Sequence, residues 1–429
     1  MPQGPILIFD KSSLESLNLN EAVLLDNFYM SNITPLFFVE CLADLEKSIR
    51  SRSTPEQLVG SLADRTPDAQ ACANVHHKTI LAGELSRQFD IKKQFFRPLL
   101  GGGKPVQLGD DKGMIFQRSK EEEALDRWSR REFREVERTI AKEWRQALSQ
   151  IDLDATSKPV LAELGHWKKP KTLVEAKQIT DMIIDNMDPE WLLGFGLRLL
   201  GIPEATQWVL NDWIGKRRPP IREHVPYFVF MLSINIFFHL VLPTELLRRV
   251  KPSHQVDLAY LYYLPFCTVF TSKDRFHEQI VPLFLDPFQT FVSGDDLKAE
   301  MKKLVEHYSR LPESDLDSGL INFAAYPPDE TGFLTTRLWD KYLPGWRGKV
   351  SYIDNNDPDY NKKTIDMINS YDDTAPGVHS HDEHDVDKLH HVTVKRMVYP
   401  KKGKWLRFSR EVIQQIAKEK EEAGDPSSG

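Results

Sequence analysis

Pro5-Ile6-Leu7-Ile8-Phe9-Asp10 and Cys267-Thr268-Val269-Phe270-Thr271-Ser272-Lys273-Asp274 are the two stretches that decide the fold. Each is a short apolar run that ends in a carboxylate. Such a run, bounded by polar residues, reads as a strand buried on both faces. Two of them predict neighbouring parallel strands with an acid at each carboxyl end. Open α/β sheets build their sites along that edge. The expected fold class is therefore α/β, with a Rossmann-like parallel sheet.

Working outward, a first helix is expected from Ser12 or Ser13 toward Val23. Thr34-Pro35 is a helix start, a hydroxyl cap followed by proline at the first helical position. That helix should run to about Ile49 with Leu36, Phe37, Cys41 and Leu45 on its apolar face. Glu40 borders the same stripe, and burying an unpaired carboxylate is costly. Residues 253 to 274 repeat the order helix, strand, acid, with Asp257 near the helix start. Thr290-Phe291-Val292 reads as another strand, and Ser293 opens a helix to about Tyr308.

Between these halves the pattern is helical. Residues 51 to 70 are polar, and 72 to 100 read as helix with His76-His77 inside. Gly101 to Pro105 reads as a loop; Pro105 stands where a phosphate loop needs Ser or Thr, so ATP binding is not expected. Residues 119 to 148 read as one long charged helix, and 172 to 250 as several more. Residues 311 to 390, rich in Asp, Pro and Gly, read as partly ordered, followed by a hairpin of 392–399 with 405–408 and a final helix. The resulting division is a discontinuous core of 1–54 and 246–310, a helical insertion of 55–245 and a C-terminal extension of 311–429.

The bulk properties narrow the function classes. The chain has 429 residues and a net charge of −7, which argues against a protein that coats polyanions indiscriminately. Local basic segments stand at Lys168-Lys169-Pro170-Lys171, Lys216-Arg217-Arg218 and Arg248-Arg249-Val250-Lys251; each reads more readily as a solvated face. Cys41, Cys72 and Cys267 make no disulfide framework and no CxxC pair, so a reducing, cytoplasmic setting is expected. No signal-type segment opens the chain. The apolar run Tyr227–Leu242 is shorter than the roughly 20 residues that span a bilayer, and reads as a buried helix.

The chemistry-bearing set is Asp10, Glu40, Asp257 and Asp274. Hard divalent cations prefer oxygen ligands, and carboxylates gathered at strand and helix ends supply them. Each acid also has a plain structural reading. Asp10 serves as a helix cap, Glu40 pairs with a buried base, Asp257 favours a helix amino end and Asp274 is a turn acid. Asp44, one turn past Glu40, is an alternative carboxylate. His379-Ser380-His381-Asp382-Glu383-His384 lacks a rigid frame and reads as a polar linker rather than a zinc site.

The segments Ile6–Ser13, Ile33–Leu42, Asp257–Leu261 and Val269–Phe276 resemble the PIN family of metal-dependent ribonucleases. The resemblance covers about residues 5–50 and 250–305. It implies a PIN-type core and a four-carboxylate pocket of Asp10, Glu40, Asp257 and Asp274 binding Mg2+ or Mn2+. It also implies endonucleolytic hydrolysis of RNA, single-stranded or looped. Ser12, Ser13, Thr271, Lys273 and Arg275 are then candidates to position substrate; His254 lies three before Asp257 and reads more readily as helix-start packing. Two departures stand out. The connection from Glu40 to Asp257 is far longer than in small relatives, and His277 stands where many relatives carry another acid. The alternatives left open are a catalytically inactive RNA- or protein-binding module and a DNA-processing nuclease. A regulatory protein or a second copy of the chain would dock through the helical insertion; no membrane partner is expected.

Overall fold

In the computed structural model, which describes residues 4–46, 53–108, 111–150, 153–247, 251–347 and 391–422, Ile6–Phe9 is a central strand, β1. Helices α1 (Lys11–Ser16) and α2 (Leu19–Phe28) follow, then β2 (Met30–Ile33), α3 (Pro35–Ala43), α4 (Pro55–Arg65) and β3 (Ala71–Ala73). The single helix expected from Ser12 toward Val23 is two, because Leu17 is extended and Asn18 caps the second. Thr34 caps α3 with Pro35 in its first turn, as its sequence predicts.

The middle of the chain carries α5 (His77–Leu85), a hairpin of β4 (Gly103–Leu108) and β5 (Asp111–Phe116), α6 (Lys120–Ser129) and α7 (Glu135–Ser149). The expected loop at Gly101–Pro105 thus runs into a strand at Gly103. The expected long helix of 119–148 is broken at Arg130–Arg134, where Arg131 takes a left-handed φ of 65°. Six helices follow: α8 (Leu153–Leu164), α9 (Leu173–Asn186), α10 (Pro189–Leu199), α11 (Thr206–Gly215), α12 (Ile221–His224) and α13 (Pro226–Val241). Of these, α13 is the buried apolar helix expected at Tyr227–Leu242. No described helix is long and apolar enough to cross a membrane.

The chain then returns to the sheet through α14 (His254–Leu261), β6 (Val269–Ser272), α15 (Arg275–Ile280), β7 (Thr290–Ser293) and α16 (Gly294–Tyr308). The sheet order is β3-β2-β1-β6-β7, and every pairing is parallel. The fold is α/β with a Rossmann-like core. Its edge strand β3 comes from inside the stretch read as insertion.

Side chains alternate across the sheet. Leu7, Phe9, Val269 and Val292 face one apolar cluster, with α1, α2, α16 and the segment after it. Ile8 and Phe270 face the other, which contains much of α9–α14. The helices of 153–241 therefore share a core with the sheet. So does the segment after α16, read from composition as partly ordered. It forms α17 (Glu313–Leu316), α18 (Leu320–Phe323) and α19 (Leu334–Tyr342), and buries Leu320, Phe333, Leu338, Trp339 and Trp346.

The last described segment also differs from expectation. β8 (His391–Val394) pairs in parallel with β5, leaving a short hairpin of β9 (Lys401–Lys402) and β10 (Trp405–Leu406) before α20 (Arg410–Glu422). Arg407 is buried against Asp26 and Asp68, and Trp405 donates to the carbonyl of Asn20 at 3.0 Å. The His379–His384 tract lies outside the described residues.

Candidate functional site

Register puts the acids of β1 and β6 together. Phe9 pairs with Thr271, so the next residues, Asp10 and Ser272, lie side by side past the carboxyl ends of adjacent strands. Ser272 Oγ donates to Asp10 Oδ2 at 2.6 Å. Ser12 Oγ donates to the same oxygen at 2.7 Å, and the Ser13 amide donates to Oδ1 at 2.9 Å, making Asp10 the cap of α1. The structural reading of Asp10 is therefore realised.

His277 is the residue that sequence reading left without a role. It is fully buried on α15, three residues past Asp274. Its Nε2 lies 2.7 Å from the Asp257 carbonyl, which only accepts, so Nε2 carries a proton. Its Nδ1 lies 2.8 Å from Ser272 Oγ and 3.6 Å from Asp10 Oδ2. The Ser272 proton is given to Asp10, and Nδ1 must then donate as well. An imidazolium satisfies both contacts. Burial works against that charge, yet Asp10 raises the His277 pKa to about 9. Reciprocally, burial opposes ionisation of Asp10, but His277, Ser272 and Ser12 hold its carboxyl below the ordinary value. Tyr260, Phe270 and Phe276 surround the imidazole with edge-on rings.

Glu40 and Asp257 complete the cluster from α3 and α14. Tyr260, one turn past Asp257, donates its hydroxyl to Glu40 Oε2 at 2.5 Å. Burial pushes Glu40 up to about 7 against that hydrogen bond; Asp257 and Asp10 add repulsion and Lys11 relieves it. Burial also pushes Asp257 up to about 7, with Asp274 and Asp10 adding to the effect and His277 opposing it. Asp274 is partly exposed and caps α15 by accepting from the Phe276 amide at 2.7 Å. The four acids thus occupy one electrostatic neighbourhood at the carboxyl edge of the sheet. Lys11 pairs with Asp44 at 2.8 Å, so Asp44 belongs to an ion pair beside the cluster.

The positioning candidates separate. Ser12 links Asp10 to the β6–α15 loop by also accepting from the Lys273 amide at 3.1 Å. Ser13 is buried, and its hydroxyl meets no partner among the described residues. Thr271 is fully buried, and strand alternation turns its side chain to the face of Val269 and Phe9, away from Asp10 and Ser272. A substrate reaching the acids does not meet it. Lys273 is paired with Asp295 at 2.7 Å. Arg275 is exposed in the first turn of α15.

A hard divalent cation suits this donor set by chemistry. Glu40, Asp257 and Asp274 are partly exposed oxygen donors, and among the described residues Asp10 Oδ1 accepts one hydrogen bond, from the Ser13 amide. Asp10 Oδ2 is already engaged by two serines. Among the described residues no three His, Cys, Asp or Glu side chains are drawn together as a metal-holding group. By chemistry Glu40, Asp257 and Asp274 would be the residues to hold such an ion, with Asp10 adding at most Oδ1, but their side chains are not gathered into a ready site.

Ser272 and Tyr260 gave no signal of their own in the sequence. His277 did: a cluster of acids needs a compensating cation, and His277 is the nearest histidine to Asp274 in the chain. Comparisons with protein-family models, curated proteins and solved structures gave no match.

Proposed function

We propose that this chain is a PIN-like, metal-dependent nuclease that hydrolyses RNA phosphodiester bonds. The observation that carries the reading is the electrostatic convergence of Asp10, Glu40, Asp257 and Asp274 on the carboxyl edge of a parallel sheet. Structural carboxylates are ordinarily matched by cations; here Asp257 and Asp10 oppose ionisation of Glu40, and Asp274 and Asp10 oppose ionisation of Asp257, which supports a functional role. Glu40, Asp257 and Asp274 would hold Mg2+ or Mn2+, which supplies an activated water and stabilises charge on the phosphate. Tyr260 orients Glu40, and the Asp10–Ser272–His277 network holds β1, β6 and α15 in place beneath them. Arg275, exposed in the first turn of α15, would meet a phosphate backbone. RNA as substrate rests on the family resemblance.

The test is incubation of purified protein with RNA and DNA panels in Mg2+, Mn2+ or EDTA. RNA cleavage that EDTA abolishes and Asp257→Asn removes supports the reading. Preferential cleavage of DNA reassigns the substrate. A second reading, a non-catalytic RNA-binding module, is favoured by one observation: His277 already supplies Asp10 with a buried positive partner. RNA binding without cleavage in any metal selects it.

A further inference from the structure

His254 begins α14, one turn before Asp257, and its ring lies flat on Phe276, two residues past Asp274. The ring centroids are 5.0 Å apart and the planes 8° from parallel. The Lys251 amide donates to Nδ1 at 2.9 Å. An amide only donates, so Nδ1 carries no proton and the neutral ring holds its proton on Nε2. Stacking fixes the ring plane and the amide fixes its rotation. His254 is partly exposed, and among the described residues Nε2 meets no hydrogen-bond partner. The ring sits within electrostatic reach of Asp274 and His277. The site therefore has a rigid and unspent N–H donor within electrostatic reach of Asp274.

We propose that His254 contacts the substrate, its Nε2–H donating to a non-bridging oxygen of the phosphodiester bound at the acid site. This rests on the nuclease reading for the identity of the site. The neutral ring is kept so by more than its Lys251 contact: burial lowers its pKa, with Lys251 and His277 adding to the effect against Asp274. A neutral imidazole gives a hydrogen bond but not its proton. Its target is therefore the charged phosphate oxygen, not the leaving group. The same donor explains why a histidine half-open to solvent is clamped from two sides; packing alone would need only the ring.

Three variants separate donor from ring. His254→Phe keeps the stack on Phe276 and loses the donor. His254→Gln keeps an N–H donor and loses the stack. His254→Ala loses both. Thermal melts accompany each. Single-turnover cleavage is measured on RNA carrying one phosphorothioate of defined stereochemistry, and affinity for an RNA oligonucleotide is measured in EDTA by fluorescence anisotropy. A hydrogen bond to a charged group predicts that the folded Phe and Ala variants lose about tenfold to a hundredfold in cleavage of the all-oxygen RNA, with Gln recovering part. The wild type should discriminate between the two phosphorothioate isomers, and His254→Phe should lose that discrimination. If wild-type protein cleaves nothing, the nuclease reading fails; a weaker metal-free RNA affinity in His254→Phe, restored by Gln, still supports the contact. Phe and Ala variants that match the wild type in both cleavage and metal-free affinity overturn it.

Discussion

Asp10 and His277 form a buried pair bridged by Ser272, with Oδ2 and Nδ1 3.6 Å apart and the serine hydroxyl 2.6 and 2.8 Å from them. Removing one partner of a buried pair leaves the other charge uncompensated, at about 3–5 kcal/mol. Asp10→Asn should therefore destabilise the protein by roughly that amount, even though asparagine keeps the shape. His277→Gln should do the same. Urea denaturation in EDTA measures both, and the double variant should recover part of the loss. Single variants within experimental error of the wild type would show that the pair carries no charge.

Asp257→Asn should behave in the opposite way. Among the described residues Asp257 forms no ion pair: burial, Asp274 and Asp10 oppose its charge, and His277 favours it. Replacing it relieves repulsion, so metal-free stability at pH 8 should be unchanged or higher. Cleavage should be lost all the same. Asp10→Asn and Asp257→Asn should thus separate in a stability assay. A strongly destabilised Asp257→Asn would mean that its carboxylate is tied into the fold by a contact beyond those described.

The strands that end in Asp10 and near Asp274 were legible because uninterrupted apolar runs leave little choice of structure. The helix start at Thr34-Pro35 was legible because capping is local chemistry. β3 was not, since Ala71-Cys72-Ala73 carries no pattern and becomes a strand only by pairing with Ser31–Ile33 of β2. Thr271 was misplaced for a different reason: adjacency to the acid suggested a shared site, but a one-residue step along a strand reverses the face. The segment after α16 looked loose by composition, yet the spacing of Leu320, Phe333, Leu338 and Trp339 buries it. Ser272 and Tyr260 could be found only once the sheet register and the α3–α14 contact were known.

Glu84 sets a pH dependence remote from the acid site. It is 1% exposed and its two oxygens accept the Tyr227 and Phe228 amides at 2.8 and 2.7 Å, at the start of α13. Burial nevertheless pushes its carboxyl up to about 7. A raised carboxyl pKa means that the folded state binds more protons than the unfolded state between about pH 4.5 and 7. Stability should therefore fall as pH rises through that window, by about 3 kcal/mol from this group. Glu84→Gln carries no titration, so its stability relative to the wild type should rise over the same range. Denaturation at successive pH values in EDTA checks this; a constant difference from pH 4.5 to 8 sinks it.

Arg407 fastens the last described segment to the sheet side of the molecule. Its guanidinium is 4% exposed and meets Asp26 Oδ2 at 2.8 Å and the carboxylate of Asp68. Asp26 also accepts the amides of Asp68, Ala69 and Gln70 at 3.1, 3.0 and 2.8 Å, directly before β3. Burial opposes ionisation of Asp26, but Arg407 and Lys402 hold its carboxyl well below the ordinary value. Burial and Asp26 together push Asp68 up to about 6. Among the described residues Arg407→Met would leave both acids with Lys402 as their cation, its Nζ 3.3 Å from Asp68. The expected cost is about 3–5 kcal/mol. Adding Asp68→Asn should recover part of it by removing the repulsion with Asp26. A chain ending before residue 391 should lose more, because Trp405 leaves the core with it. Urea denaturation of the single and double variants, with limited proteolysis of the shortened chain, provides the measurement. If Arg407→Met is as stable as the wild type, the segment rests on the sheet without holding it.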